Sequence, residues 1–112
     1  MDKITTYRKI LLQFLNEYKT YWSGSNDPLK YRIIVDSEQN TYQMLRIGWD
    51  GDDYYHDCIY HFDIINGKVW IQKNETDRLI AQELVSMGIP KHDIVLGLLP
   101  PIMRKDSEYA AA

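Results

Sequence analysis

Asn66-Gly67 lies between two runs of alternating character, Tyr55–Ile65 and Lys68–Lys73, and no other dipeptide constrains the fold of this chain so tightly. Both central positions of a type I′ turn need positive φ, which Asn and Gly tolerate, so the pair predicts a two-residue hairpin loop. The loop in turn sets a register. Ile65 faces Lys68, Ile64 faces Val69, Asp63 faces Trp70, Phe62 faces Ile71 and His61 faces Gln72. Side chains alternate along a strand, so Phe62, Ile64, Val69 and Ile71 share one face, expected to be the core side. His61, Asp63, Trp70 and Gln72 share the other.

The remaining elements follow from periodicity and punctuation. Ile4, Tyr7, Leu11, Phe14, Leu15 and Tyr18 recur at three- and four-residue steps, which predicts a helix over Lys3–Tyr21; Thr5 and Thr6 allow a start one turn later. The stretch from Trp22 to Pro28 reads as a loop. Tyr31–Asp36 and Thr41–Trp49 have the content of strands, with turns at Ser37–Asn40 and Asp50–Asp53. A second helix is expected over Glu75–Met87, with Asn74 as N-cap, Asp77 in the first turn, Gly88 at the left-handed C′ position and Pro90 preventing continuation. His92–Leu99 is either a helical turn or an added strand, and Met103–Ala112 is a polar tail. The expected fold is α+β, with an antiparallel four-stranded meander sheet and an N-terminal and a C-terminal helix packed on one face. At 112 residues the chain is read as a single domain, 1–112.

Charge narrows the function classes. The chain holds 13 Lys and Arg against 16 Asp and Glu, a formal net charge of -3, whereas an independent DNA-binding domain of this size usually carries a basic excess. The balance favours a protein partner over the duplex itself, and a direct DNA-binding module with local basic patches stands as a lesser alternative. Cys58 is the one cysteine, which excludes a disulfide within the chain and fits a reducing cytoplasm. No uninterrupted apolar stretch offers a signal peptide or a membrane span, so a cytoplasmic protein without membrane contact is expected.

His56, Asp57, Cys58, His61 and Asp63 are the obvious titratable cluster. Strict alternation sends His56 and Cys58 to one face of the strand and His61 and Asp63 to the other, so a metal site is not expected. Asp50-Gly51-Asp52-Asp53 lacks the glycine and glutamate positions of an EF-hand; Tyr55 and His61 stand there instead. No nucleophile with an adjacent base and no Gly-rich phosphate cradle is present. Catalytic residues, cofactor and metal are accordingly all expected to be none. The face opposite the helices is expected to carry Arg32, Arg46, His61, Asp63, Trp70 and Gln72, a mixture of one large aromatic, arginines and hydrogen-bonding groups suited to an interface centre. A partner protein or a second copy of the chain would bind there. The alternative for the same residues is a small hydrolase or nuclease-like enzyme using His61 and Asp63.

Four phrases, in order and over most of the chain, add a resemblance: Gly48-Trp49-Asp50-Gly51, Val69-Trp70-Ile71-Gln72, Ala81-Gln82-Glu83-Leu84-Val85 and Gly88-Ile89-Pro90-Lys91-His92-Asp93-Ile94-Val95-Leu96-Gly97. The sequence resembles the XisI family, small cyanobacterial factors named for controlling excision of the fdxN DNA element during heterocyst differentiation. The resemblance implies a non-catalytic accessory or control protein that acts beside a recombinase and a second factor, XisH, whose fold resembles restriction-type endonucleases. An XisH-like protein is the partner it implies. The N-terminal helix matches mainly in pattern and the tail from Arg104 to Ala112 only loosely, and the resemblance transfers no functional residues.

Overall fold

Helix α1, Lys3–Trp22, opens the structure, a computed structural model that describes residues 2–24 and 27–112. Its start is not delayed by Thr5 and Thr6, because Asp2 caps it: the carboxylate accepts the Ile4 N–H at 3.1 Å. Tyr7, Ile10, Leu11, Phe14, Leu15 and Tyr18 form its buried stripe. Residues 25 and 26 of the expected loop lie outside the described residues.

The strands are β1 (Lys30–Asp36), β2 (Thr41–Asp50), β3 (Asp53–Ile65) and β4 (Lys68–Asn74), each antiparallel to the next. Asn66 (φ 51°) and Gly67 (φ 78°) make the turn that their residue types demand. A fifth strand, β5 (Ile94–Val95), lies parallel to β4. The sheet is therefore mixed and five-stranded, in the order β1-β2-β3-β4-β5, rather than a four-stranded antiparallel meander. The extra strand lies within His92–Leu99 and directly follows a 3₁₀ turn at Lys91–Asp93 that overlaps the start of that segment.

Helix α2 spans Ile80–Met87 and not Glu75–Met87. Asn74 does not cap it. The Asn74 side chain accepts from Thr76 N (2.9 Å) and Thr76 Oγ1 (2.6 Å) and donates to Arg78 O at 2.9 Å, which holds residues 74–78 in a turn and delays the helix. At its end the Gly88 backbone (φ 120°) and the bond Ile89 N→Leu84 O close the helix as expected. A short α3, Pro101–Arg104, follows.

Both long helices lie on one face of the sheet. Leu11, Phe14 and Leu15 of α1 and Ile80 and Leu84 of α2 share a buried cluster with Tyr42, Met44, Tyr60, Phe62, Val69 and Ile71 from the strands. The Phe14 ring meets Tyr60 and Phe62 edge-on, with centroids 5.3 and 5.5 Å away, a favourable geometry for aromatic quadrupoles. Among the described residues no helix is long and apolar enough to cross a membrane.

Candidate functional site

Two β-bulges decide what stands on the open face. In β3 the pairing passes from Tyr60↔Met44 to Cys58↔Leu45, which leaves Ile59 as an extra residue. The bulge shifts the alternation by one. His56 and Cys58 consequently emerge on the same face as His61 and Asp63, contrary to the strict-alternation expectation. In β4 the register holds from Ile65↔Lys68 to Phe62↔Ile71, and then His61 pairs with Lys73 instead of Gln72. Gln72 is the bulged residue, and its side chain swings to Asp63.

Asp63 is the centre of the resulting network. Its Oδ1 accepts from Thr41 Oγ1 at 2.7 Å and lies 3.1 Å from His61 Nε2, while Oδ2 accepts from Gln72 Nε2 at 3.1 Å. Burial pushes the carboxyl's pKa up, but the hydrogen bonds from Thr41, His61 and Gln72 together overcome it and hold the group below the ordinary carboxylate range. Gln43 Nε2 stands 3.1 Å from His61 Nδ1. An amide N–H there makes Nδ1 the acceptor, so Nε2 carries the proton given to Asp63. The lone pair that a general base would use is thus already occupied.

Trp70 stands beside Asp63 by register, on the open side of the sheet as expected, yet it is half-buried. Arg104 from α3 covers it, guanidinium carbon 5.0 Å from the ring centroid. Arg32 is exposed on the same face, opposite Leu45. Arg46 is not on this face. It pairs with buried Tyr31 in the register and belongs to the helix side with Tyr42 and Met44, where it makes a bidentate pair with Asp57 at 3.0 and 2.6 Å and stacks on Tyr55. Period-two alternation from Tyr42 and Met44 leads to that position directly. Thr41, Gln43 and Arg104 are members of the site that sequence reasoning missed. Thr41 and Gln43 become legible only once the β2–β3 register is known.

Cys58 is half-buried, and burial raises its thiol pKa, which works against a nucleophilic role. Among the described residues no group of three His, Cys, Asp or Glu side chains is placed to hold a metal ion. Clefts lie elsewhere. One of about 320 Å³ sits between the end of α1 and the loop after β4, against Trp22, Tyr31, Arg46 and Thr76. Another of about 250 Å³ lies between α2 and the C-terminal segment, against Leu79, Leu96, Leu98 and Tyr109. Neither is lined by His61 or Asp63.

Similarity to known proteins runs the length of the chain. A family model described as XisI protein matches residues 1–111. The crystal structure of a XisI-like protein from Anabaena variabilis superposes with a TM-score of 0.89 at 39% identity, covering 97% of this chain and 99% of that one. The structure of fdxN element excision controlling factor XisI from the same organism superposes with a TM-score of 0.84 at 34% identity, over 99% of this chain and 100% of that one. No curated protein matches. The chain therefore belongs to the XisI family.

Proposed function

We propose that this protein is a control factor for excision of a DNA element, and that it acts by binding a partner protein through the open sheet face rather than by catalysis. One whole-length relative bears the name of an excision controlling factor. The observation that supports the non-catalytic reading is the mutual engagement of His61 and Asp63. Gln43 occupies the imidazole lone pair and three donors engage the carboxylate, an arrangement that suits a structural network better than proton transfer. The same face offers what a binding surface needs. Ile34 (44% exposed) and Ile65 (40%) supply apolar area, Trp70 an aromatic anchor, and Arg32 and Lys73 a charged rim. An XisH-like protein with an endonuclease-type fold is the partner we propose.

The test is co-expression with the XisH-like protein of the same genome, followed by calorimetric titration. A stable complex is expected, and Trp70→Ala should weaken it by about 2 kcal/mol, roughly thirtyfold. Absence of a complex, or turnover of nucleic acid lost on His61→Ala with the fold intact, would reverse the reading. Tight, strongly salt-dependent binding to duplex DNA alone would instead favour a DNA-binding module.

A further inference from the structure

We infer that two copies of this chain pair through the outer edge of β1, antiparallel and centred on Ile33, to form one continuous sheet. The inference concerns the edge of the sheet and stands apart from the partner proposed for its open face.

The two edges of the sheet are treated differently. Beyond β4, the edge strand β5 is only two residues long, and the tail covers it: Ala110 N donates to Ile94 O at 2.9 Å and Ala110 bridges Val95. At the other edge β1 runs for seven residues, Lys-Tyr-Arg-Ile-Ile-Val-Asp, with no proline and no register shift against β2. Among the described residues nothing pairs with its outer side. Its β-branched centre is solvent-facing, with Ile34 at 44% and Val35 at 39% exposure. Soluble proteins protect such an edge with bulges, proline or central charges; a long regular apolar edge is a template for another strand.

The charge pattern selects the occupant. Lys30 and Arg32 lie at the start of β1 and Asp36 at its end. Antiparallel pairing of the strand with itself sets positive against negative, whereas parallel pairing would stack like charges. With Ile33 opposite its own copy, all seven residues pair: Lys30 with Asp36 at both ends, Tyr31 with Val35, and Arg32 with Ile34. Pairing residues of equal parity keeps faces matched, so Tyr31, Ile33 and Val35 remain on the helix side in both copies. The result is an isologous two-fold contact, self-complementary as such contacts must be. It joins the five strands of each copy and sets both open faces on one side, as a bivalent platform.

Sedimentation across a dilution series tests the association, and cross-linking tests the register. The wild-type chain should reach twice its monomer mass. Lys30→Glu, which opposes Asp36 of the other copy at both ends, should weaken the dimer by at least about tenfold while leaving the circular dichroism unchanged. Opposed residues of an antiparallel pair sit about 4.5–5.5 Å apart at Cα, within disulfide range. In a Cys58→Ser background, Ile33→Cys should therefore oxidise to a covalent dimer and Val35→Cys should not. A monomer at every concentration, a dimer indifferent to Lys30→Glu, or cross-linking at position 35 instead of 33 would each overturn the proposal.

Discussion

The guanidinium carbon of Arg104 lies over the indole of Trp70, 5.0 Å from the ring centroid, and the same group donates to three backbone carbonyls, those of Leu96 (3.2 Å), Gly97 (3.2 Å) and Leu99 (3.0 Å). One side chain thus ties the C-terminal segment to the sheet by stacking and hydrogen bonding together. Arg104→Ala should lower stability by about 2 kcal/mol, since it takes the donor from the Gly97 and Leu99 carbonyls, while Leu96 O keeps the Leu99 N–H, and uncovers the ring. Lys should not rescue it, because an ammonium lacks the planar fork that serves the ring and the carbonyls at once. Urea unfolding measures the loss, and faster proteolysis after residue 96 should accompany it.

Gly97→Ala should disturb the Asp63 network from a distance. A Cβ at this position would clash with Gln72 Oε1 and lie 3.1 Å from Trp70 Cε3. The Gln72 amide can move aside, but in moving it gives up its bond to Asp63. The expected cost is about 1 kcal/mol, and the carboxyl titration of Asp63 followed by NMR should shift upward.

Acid stability should depend on Asp63. Its carboxyl is held below the ordinary aspartate value, burial being outweighed by the hydrogen bonds from Thr41, His61 and Gln72. A group with a depressed folded pKa contributes stability that is present above its unfolded value, about 3.9, and is lost as pH falls through the folded value. Asp63→Asn should therefore be destabilising near neutrality and flatten the decline below about pH 4. Urea midpoints across the acid range check this; an unchanged acid limb would contradict it.

A second acid-sensitive contact locks α1 to the turn before β5. Asp93, only 5% exposed, accepts a hydrogen bond from the Tyr7 hydroxyl and pairs with Lys3 at 3.3 Å. Burial and the bond to Asp93 push the Tyr7 hydroxyl up to about 12. Burial likewise raises Asp93, and the Tyr7 and Lys3 contacts more than reverse it. Tyr7→Phe removes the hydroxyl donor and leaves the buried carboxylate to Lys3 and the more distant His92 (3.9 Å), which should cost about 1–3 kcal/mol. The Asp93 carboxyl should then titrate higher, a change that NMR reads directly.

Local signals were legible wherever a short stretch of chain enforces its own geometry. The Asn66-Gly67 turn, the four rungs from Ile65↔Lys68 to Phe62↔Ile71, the buried stripe of α1 and the stop at Gly88 all follow from residue types at fixed spacing. So does the family, whose phrases are contiguous. Misreadings arose where a side chain competes with the backbone or where a strand departs from period two. Asn74 ties itself to Thr76 and Arg78 and delays α2. The bulges at Ile59 and Gln72 carry no residue-type signature, yet they turn His56 and Cys58 over and bring Gln72 to Asp63.

The sequence by itself determined α1, the four antiparallel strands, the end of α2, most of the core and the family, because hydrophobic period and turn chemistry act over a few neighbouring residues. Only the tertiary structure decided that Arg46 belongs with Asp57 on the helix side and that Ile94–Val95 extends the sheet in parallel. The same holds for Arg104, which closes over a tryptophan from a distant strand. Those outcomes rest on register and on contacts between residues far apart in the chain. Such pairings are chosen by the packing of the whole and leave no local mark.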